Sequence, residues 1–375
     1  MEKIGIFGGT FDPVHNQHVS LAKKAIEILG LDKLIIMPTF LPPHKSVLPT
    51  NSADRLNMLR LAFKNESKIE VSDYEILKGG TSYTYLTVEH FKSLYDAELY
   101  FLVGEDMLIN FKHWKFPERI LKNVRLAVFG RDGMSGDVEK EREYFKKNFN
   151  SDFIWLNFSG LNLSSSKIRV YSSFGLDIVN MVPLCVKDYI EKNNLYSPDG
   201  YTEFVKKTLT KKRLIHTANV VLTALTKAKE LGLDENKIKI ATTLHDCAKY
   251  LKAEDFDEFS VPSDMPDAVV HAYLGAFVIE KVLKITDTDI IDAVRYHTTG
   301  KPNMSTLSKL VFVADMIEEG RTYDGVDELR EYFKGDFDTC FKKCLKEEVI
   351  HLKNRGGDIY YQTLDAYKYY IEDNN

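Results

Sequence analysis

The sequence has few cysteines and no long apolar run. Its four cysteines are Cys185, Cys247, Cys340 and Cys344, and none of them forms a C-x-x-C pair. This argues against a disulfide scaffold and favours a reducing, cytoplasmic location. No apolar run reaches the ~18 residues that a membrane-spanning helix requires, so we expect no membrane partner.

An excess of positive charge is also absent. The formal net charge is −5, which offers no basic surface to a nucleic acid partner. Hydrophobic residues make up 44% and charged residues 28% of the chain, the proportions of a globular protein. A length of 375 residues exceeds one ordinary core, so two or three domains are expected. Nothing in the sequence decides whether the chain forms a homo-oligomer.

The first half alternates short apolar runs with helical patterns. This alternation predicts an α/β, Rossmann-like fold with a doubly wound, mostly parallel sheet and helices on both faces. Ligands of such sheets bind beyond the carboxyl ends of the strands. The apolar runs are residues 4–7, 33–37, 99–103, 124–129 and 153–156, and the helical patterns include 53–63 and 85–94.

A change of pattern near residue 197 divides the chain. The turn-forming residues 197–200 follow the last helical pattern of the first half, and strand patterns disappear after them. Long helical periodicities fill the remainder and predict an all-α second half. We therefore predict two domains, 1–197 and 198–375. The predicted helices of the second domain are 214–231, 237–251, 268–282, 287–297 and 307–318.

Paired glycines end the first apolar run and precede a helix that opens with two histidines. Gly8 and Gly9, followed by Thr10, let the backbone approach an anion closely. The next helix supplies free N–H groups and the positive end of its dipole. His15 and His18 lie on one face of its first turn, from which both can donate hydrogen bonds to phosphoryl oxygens. The sequence therefore predicts a phosphate site at this strand end.

Three further segments of the first half carry groups suited to nucleotide chemistry. Lys45 stands on a rigid, proline-rich loop, from which it can pair with a phosphate. Trp114 either stacks on a flat ring or packs in the core. Hydroxyl residues open a helix and act either as anion donors or as helix caps. They belong to the segment that contains Ser82, Tyr83 and Thr84.

Two more segments suit the ribose and the phosphates of a nucleotide. Asp106 follows Gly104 at the end of an apolar run, where an acid can bind ribose hydroxyls. Three serines, residues 164–166, start a helix, and Lys167 and Arg169 follow within one turn. A plain helix cap needs one hydroxyl, so three of them beside two cations favour a triphosphate clamp.

Taken together, these segments resemble one family. The motifs G-G-T-F-D-P-x-H-x-x-H, P-P-H-K, S-Y-T, G-x-D and S-S-S-x-I-R occur in the order and spacing of bacterial nicotinate-nucleotide adenylyltransferases, which are H-x-G-H nucleotidyltransferases. The resemblance covers residues 1–196 and implies transfer of AMP from ATP to nicotinate mononucleotide, with release of pyrophosphate. Mg²⁺ would accompany ATP and bridge its oxygens. Gln17 departs from the family's glycine between the histidines, and Asp132 departs from its proline.

The resemblance also assigns roles to particular residues. Catalysis is assigned to His15, His18, Lys45 and Arg169. ATP binding is assigned to Gly8, Gly9, Thr10, His15, His18, Gly104, Asp106, Ser165, Lys167 and Arg169. Binding of the nicotinate nucleotide is assigned to Lys45, Ser82, Tyr83, Thr84, Trp114 and Arg131. An H-x-G-H enzyme acting on phosphopantetheine is the alternative, and the P-P-H-K, S-Y-T and tryptophan set argues against it.

Histidines and acids of metal-ligand type recur along the helices of the second half. Each lies beside an apolar face, where a buried charge must be paired or must coordinate a metal. Because no cysteine is among them, they favour iron, manganese, cobalt or zinc. Six ligands exceed what one open ion takes, so we expect two ions, bridged by Asp246, that assist phosphoryl hydrolysis. The predicted ligands are His216, His245, Asp246, His271, His297 and Asp315.

This second pattern resembles the HD-domain phosphohydrolases, and more closely those that cleave diadenosine tetraphosphate symmetrically. The motifs H-D-x-x-K, H-T-T-G and A-D-x-x-E carry the resemblance within residues 202–372. It implies an HD-domain helical bundle whose di-iron site yields two ADP, with Asp246 in catalysis and Lys249 and Arg295 on the substrate phosphates. An HD nucleotidase acting on mononucleotides and a metal-held regulatory module without turnover remain as alternatives.

Overall fold

The chain folds into two compact units in a computed structural model. The structure describes residues 1–43, 50–130, 136–158, 160, 163–356 and 359–373. The first unit contains Met1–Arg169 and Ile178–Leu195, and the second contains Val170–Asp177 and Tyr196–Asn375. The second unit thus includes a short segment that lies well before residue 197, which the sequence analysis did not anticipate.

The first unit is built around a six-stranded parallel sheet. Its strand order is β3-β2-β1-β4-β5-β6, and all neighbouring pairs are parallel. The predicted doubly wound α/β fold is therefore confirmed, whereas the sequence did not predict β3, which has only three residues. The strands are β1 (Lys3–Gly9), β2 (Lys33–Pro38), β3 (Ile69–Val71), β4 (Glu98–Gly104), β5 (Arg125–Gly130) and β6 (Ile154–Asn157).

Helices flank this sheet, which explains the nearly continuous apolar runs of its inner strands. β2 and β4 each have five consecutive buried residues. The helices are α1 (Asn16–Leu29), α2 (Ser52–Ala62), α3 (Tyr74–Lys78), α4 (Thr84–Leu94), α5 (Glu105–Ile109), α6 (Pro117–Asn123), α7 (Gly136–Phe149), α8 (Ser165–Ser173) and α9 (Leu184–Lys192), with a 3-10 turn at Phe111–His113.

The order of the strands reverses between β1 and β4. From β1 the chain continues to β2 and β3 on one side, and from β4 it continues to β5 and β6 on the other. Ile6 pairs with Phe101, and the same register, carried three residues further, sets Gly9 level with Gly104. A parallel sheet binds its ligand in the crevice at such a reversal, beyond the carboxyl ends of the strands.

The second unit is helical throughout its described part, as predicted. α15 lies at its centre and packs against α11, α14 and α17. No helix in the described ranges has the length and hydropathy that a membrane span requires. The helices are α10 (Gly200–Thr208), α11 (Lys211–Leu225), α12 (Glu235–Leu244), α13 (Asp267–Lys281), α14 (Thr288–Arg295), α15 (Thr306–Ile317), α16 (Val326–Gly335), α17 (Phe337–Asn354) and α18 (Tyr361–Tyr367), with a 3-10 turn at Ala253–Asp255 and a π turn at Lys368–Glu372.

The helix predicted over residues 237–251 is too long at its carboxyl end. α12 ends at Leu244, and the next six residues form turns. In these turns Cys247 N–H donates to the Leu244 carbonyl at 3.0 Å and Lys249 N–H donates to the Asp246 carbonyl at 2.9 Å. Bonds to the third preceding residue tighten the backbone beyond an α-helix. α14 likewise ends two residues before the predicted end at residue 297.

The segment Val170–Asp177 contributes side chains to the core of the second unit. Phe174 is 3% exposed and belongs to the same apolar cluster as the core residues of α11 and α15. We expect Phe174→Ala to lower the free energy of unfolding of this unit by about 3–5 kcal/mol, the usual cost of removing a buried phenyl ring. Phe145→Ala, which removes a buried ring from the first unit, is the matched variant.

Differential scanning calorimetry of the full chain tests this expectation. The two substitutions should lower different unfolding transitions. A common shift of one transition by both variants would contradict the placement of Phe174 in the second unit.

Candidate active sites

The two histidines of the opening turn cap the start of α1 reciprocally. His15 Nδ1 accepts a hydrogen bond from the backbone N–H of His18 at 3.4 Å, and His18 Nδ1 accepts one from the backbone N–H of His15 at 3.3 Å. The two rings stack, with their centroids 3.6 Å apart. Because both Nδ1 atoms act as acceptors, each neutral ring carries its proton on Nε2.

Burial keeps both imidazoles neutral at pH 7. It lowers the pKa of His15 to about 4. Burial, together with repulsion from His15, lowers the pKa of His18 well below its ordinary value. The pair therefore offers two N–H donors without a positive charge. Such preorganised donors can stabilise charge that develops on a phosphoryl group.

The loop between β1 and α1 is held by two arginines. Arg169 donates to the Asp12 carbonyl at 2.7 Å, and the Asp12 carboxylate accepts from Thr50 N–H at 3.2 Å. Arg55, only 1% exposed, donates to the carbonyls of Thr10 at 2.7 Å and Thr50 at 3.0 Å. The burial of Arg55 is not predictable from the sequence, because an arginine on a helix is usually solvated.

The three serines bring the start of α8 to this same loop. Ser165 Oγ donates to the Pro13 carbonyl at 2.9 Å. Ser164 Oγ accepts from Lys167 N–H at 3.1 Å and so acts as the helix cap, while Ser166 Oγ accepts from Arg169 at 3.1 Å. The predicted phosphate residues of α8 therefore lie beside the histidine turn.

Glycines leave room at the ends of the two central strands. A Cβ atom on Gly104 would lie 2.6 Å from the Asp106 carboxylate, so the glycine lets this side chain lie over the end of β4. A Cβ atom on Gly9 would lie 3.0 Å from the Phe11 ring, whereas Gly8 has ordinary clearance. Asp106 is exposed, as a contact with a ribose requires.

The hydroxyl segment before α4 does not cap that helix, so the capping interpretation is wrong. The N-cap residue is Tyr83, whose side chain makes no capping hydrogen bond, and Thr84 begins the helix. Ser82 Oγ instead accepts from Phe40 N–H at 2.9 Å and ties the segment to the loop after β2. Lys115 Nζ lies 4.4 Å from the centroid of the Tyr83 ring.

Trp114 packs against the core but keeps part of its surface open. Its ring centroid lies 5.1 Å from that of Phe111 and 6.3 Å from that of Phe101. Its side chain is half-buried, so packing and stacking on a ligand are compatible. Lys45 and Arg131 lie outside the residues that the structure describes.

Asp246 lies at the centre of a second cluster, in the second unit. It is 2% exposed. Its Oδ1 lies 3.1 Å from His271 Nε2 and 3.6 Å from His297 Nε2. Its Oδ2 lies 3.7 Å from His245 Nε2 and 4.0 Å from His216 Nε2. The two oxygens of one carboxylate therefore face two different histidine pairs.

All six predicted metal ligands come together in this cluster. Among the described residues there are three groups of three whose ligand atoms all lie within 4.8 Å of one another, and Asp246 belongs to two of them. They are His216 with His245 and Asp246, His245 with His297 and Asp315, and Asp246 with His271 and His297.

Two of the imidazoles are oriented as metal ligands. Nδ1 of His245 lies 2.7 Å from the Thr242 carbonyl, and Nδ1 of His297 lies 2.7 Å from the Val294 carbonyl. Each ring donates its N–H to that carbonyl, so each Nε2 keeps a free lone pair. Both Nε2 atoms are buried without a hydrogen-bond partner. Buried atoms of this kind require a partner, and a cation fits them.

His216 is held by two carboxylates. Its Nε2 lies 3.0 Å from Asp315, and its Nδ1 lies 3.1 Å from Glu318, which also accepts from Gly320 N–H at 2.6 Å. Burial lowers the pKa of His216, but the hydrogen bonds to Asp315 and Glu318 outweigh it and raise the pKa to about 9. Glu318 was assigned no role from the sequence, although its spacing after Asp315 was a usable signal.

Three cations border the cluster. Arg213 contacts the Asp246 carboxylate at 2.6 Å and Arg321 contacts Asp315 at 2.5 Å. Lys249 Nζ lies 3.2 Å from His271 Nε2, and burial lowers the pKa of this lysine. These cations suit a phosphorylated ligand.

Arg295, a predicted contact of the substrate phosphates, makes no direct contact with the cluster in the described part of the chain. It ends α14 with its guanidinium 6.0 Å from the centroid of the Tyr296 ring. No hydrogen bond or ion pair found among the described residues joins it to a predicted ligand.

A cavity opens beside His216. Its volume is about 590 Å³, and its walls combine cationic and aromatic side chains. Among these are Lys212, Arg213, Tyr250, Arg321 and Tyr323. Cations can pair with phosphates and tyrosine rings can stack on a base, so the cavity suits a nucleotide.

Comparisons with known proteins match both halves of the chain. The cytidylyltransferase-like family model matches residues 6–170, and the HD domain model matches residues 213–320. A probable nicotinate-nucleotide adenylyltransferase/Ap4A hydrolase of Mycoplasma pneumoniae is 30% identical over 92% of this chain and 95% of its own. A probable nicotinate-nucleotide adenylyltransferase of Clostridium tetani is 40% identical over 52% of this chain and 100% of its own.

The chain is also similar to a solved structure over part of its length. The crystal structure of a predicted HD superfamily hydrolase involved in NAD metabolism from Clostridium acetobutylicum is 31% identical. The match covers 46% of this chain and 95% of that one, with a TM-score of 0.42.

Proposed function

The chain belongs to the family of fused nicotinate-nucleotide adenylyltransferase/Ap4A hydrolases, and from this premise we propose that it has both activities. The first unit transfers AMP from ATP to nicotinate mononucleotide, giving nicotinate adenine dinucleotide and pyrophosphate. The second unit hydrolyses diadenosine tetraphosphate (Ap4A) to two ADP.

The capped histidine pair at the strand reversal carries the first proposal. The phosphate of nicotinate mononucleotide attacks the α-phosphorus of ATP in line, and the bond to pyrophosphate breaks. Such a transfer depends on positioning and on charge stabilisation, so it needs no covalent intermediate. His15 and His18 donate from Nε2 to the phosphoryl oxygens, and Arg169 adds its positive charge. ATP brings Mg²⁺ bound to its own oxygens.

The remaining predicted residues of the first unit surround this pair. Gly8, Gly9 and Thr10 lie where β1 ends, and Gly104 lies where β4 ends. In the proposal, Ser165 and Lys167 of α8 bind the ATP phosphates together with these strand-end residues. Asp106 binds the ribose. Lys45, Ser82, Tyr83, Thr84, Trp114 and Arg131 remain the proposed contacts of the nicotinate nucleotide.

The proposed hydrolysis of Ap4A rests on the position of Asp246, whose two carboxylate oxygens face different pairs of histidines. Two divalent ions, iron or else manganese, cobalt or zinc, would supply Lewis acidity for the attack of water on a phosphoanhydride. Asp246 would help to hold both ions, because its two oxygens face different histidine pairs. His216, His245, His271, His297 and Asp315 complete the donor set, whose nitrogen and oxygen atoms fit these metals.

The cavity beside His216 is the proposed site of the tetraphosphate substrate. Arg213 and Arg321 lie between the cavity and the ligand carboxylates, where they can bind phosphate oxygens. We propose these two arginines as phosphate contacts, in addition to Lys249 and Arg295. Tyr250 and Tyr323 offer rings for adenine.

Two assays on the purified full chain test both activities. In the first, ATP and nicotinate mononucleotide should give nicotinate adenine dinucleotide and pyrophosphate, and phosphopantetheine should compete poorly as an acceptor. In the second, Ap4A with iron or manganese should give ADP as the sole nucleotide product. Bound metal without hydrolysis of any nucleotide would contradict the second activity.

Glu318 should strengthen metal binding through His216. We expect Glu318→Ala to lower metal affinity and Ap4A hydrolysis by about 10- to 100-fold, the usual effect of losing a carboxylate that orients a ligand histidine. Metal titration followed by steady-state hydrolysis measures this. Glu319→Ala removes the neighbouring exposed acid and is the matched control. Equal metal affinity in the two variants would show that Glu318 does not orient His216.

A further inference from the structure

Gln17 lies between the two histidines of the opening turn. It is the second residue of α1. Its Oε1 accepts a hydrogen bond from the backbone N–H of Leu163 at 3.2 Å. Leu163 lies two residues before α8 begins. One side chain therefore joins the histidine helix to the segment that leads into the other predicted phosphate helix.

We propose that Gln17 is a positioning residue that fixes the start of α8 against the histidine pair. This inference rests on the proposed adenylyltransferase function. α8 carries Ser165, Lys167 and Arg169, the side chains proposed for the ATP phosphates. Their positions relative to His15 and His18 decide whether one triphosphate can contact both helices.

Three hydrogen bonds fix the start of α8 from different directions. Ser165 Oγ and Arg169 Nη1 bind the carbonyls of Pro13 and Asp12, which belong to the loop before α1. Gln17 belongs to α1 itself and contacts Leu163, in the segment that leads into α8. The loop contacts hold α8 near the turn, and the Gln17 contact sets its distance from the helix that presents His18.

Glycine at position 17 cannot make this contact. It has no side-chain acceptor, so the Leu163 N–H would have to find water instead. The segment before α8 would then be less ordered in the free protein. Part of the binding free energy of ATP would be spent on ordering this segment, so ATP would bind more weakly. The side-chain oxygen of Gln17 accepts the hydrogen bond from Leu163. We therefore infer that Gln17 stabilises the phosphate site and does not occupy the space of the phosphates. A crowding side chain would have the opposite effect, since its removal should raise activity.

Gln17→Gly and Gln17→Met test the proposal in the full chain. Methionine keeps the length and the helix-forming tendency of glutamine but has no comparable acceptor. We expect both variants to raise KM for ATP by ~5-fold, the effect of losing one ordinary hydrogen bond, while KM for nicotinate mononucleotide changes less than ~2-fold. In the reverse reaction KM for pyrophosphate should rise, with KM for the dinucleotide unchanged.

Asn16→Ala is the matched control. Asn16 is the preceding residue of α1, and its side chain also bonds to the backbone of a distant segment, here by donating from Nδ2 to the carbonyl of Asn180 at 3.0 Å. That partner carries none of the proposed ATP residues, so KM for ATP should stay at the wild-type value.

The outcomes separate this inference from the proposed function. Wild-type turnover is measured first, and its absence would refute the adenylyltransferase activity itself. With turnover present, an unchanged or lower KM for ATP in Gln17→Met would overturn the positioning role. An equal rise in KM for both substrates would also overturn it, because it would indicate general loosening of the fold.

Discussion

Asp246→Asn is expected to abolish the hydrolysis of Ap4A while the transfer of AMP continues at the wild-type rate. Asparagine keeps the shape of the side chain but loses the charge and one ligand oxygen. Each oxygen of Asp246 faces its own pair of histidines, so the substitution weakens both proposed metal positions together. We expect kcat for hydrolysis to fall by ~10³-fold or more, beyond the 10- to 100-fold cost of losing an outer partner of a ligand.

Metal analysis accompanies this measurement. The wild-type chain should retain two ions after dialysis, and the variant should retain fewer. Asp292→Asn is a suitable control, because Asp292 is an acid of the second unit that pairs with Lys301 outside the cluster. Unimpaired hydrolysis in Asp246→Asn would refute the proposed metal site.

His18→Ala is expected to lower kcat for AMP transfer by ~10²-fold or more, as loss of one preorganised donor does in other enzymes. The Nε2–H of His18 is the proposed donor to the phosphoryl group. Its Nδ1 also caps α1, so the alanine variant removes two interactions at once.

Two further substitutions separate these roles. In His18→Asn the side-chain amide reaches the Nδ1 position and can restore the cap, while in His18→Gln it reaches the Nε2 position and can restore the donor. We therefore expect Gln to recover part of kcat and Asn to recover stability without activity. Hydrolysis of Ap4A, measured on the same preparations, should not change. Full activity in the Asn variant would limit His18 to capping.

Local patterns made much of the first unit predictable. The apolar run before Gly8 and Gly9 predicted β1, and the histidines that follow it predicted the start of α1. The strand β3, at Ile69–Val71, was not predicted, because three residues are too few to show a strand periodicity. The role of Arg55 was not predicted either. Its burial depends on hydrogen bonds to the carbonyls of Thr10 and Thr50, which no local sequence pattern reveals.

The metal cluster was predictable from residue types, but the arginines that border it were not. Buried histidines and acids have few roles other than ligation or pairing, so the six ligands could be named without a structure. Arg213 and Arg321 resemble ordinary surface charges in the sequence, and only the fold brings them to Asp246 and Asp315. The turn that contains His245 was interpreted as helix because its apolar neighbours keep a helical period.

The central claim is that one chain carries two active sites, one in each unit. The most direct test measures both turnover numbers on a single preparation of folded Asp246→Asn protein. We predict wild-type transfer of AMP to nicotinate mononucleotide and a loss of Ap4A hydrolysis of ~10³-fold or more, set by the loss of the bridging ligand. Wild-type hydrolysis, or an equal loss of both reactions in a protein with native circular dichroism, would contradict the claim.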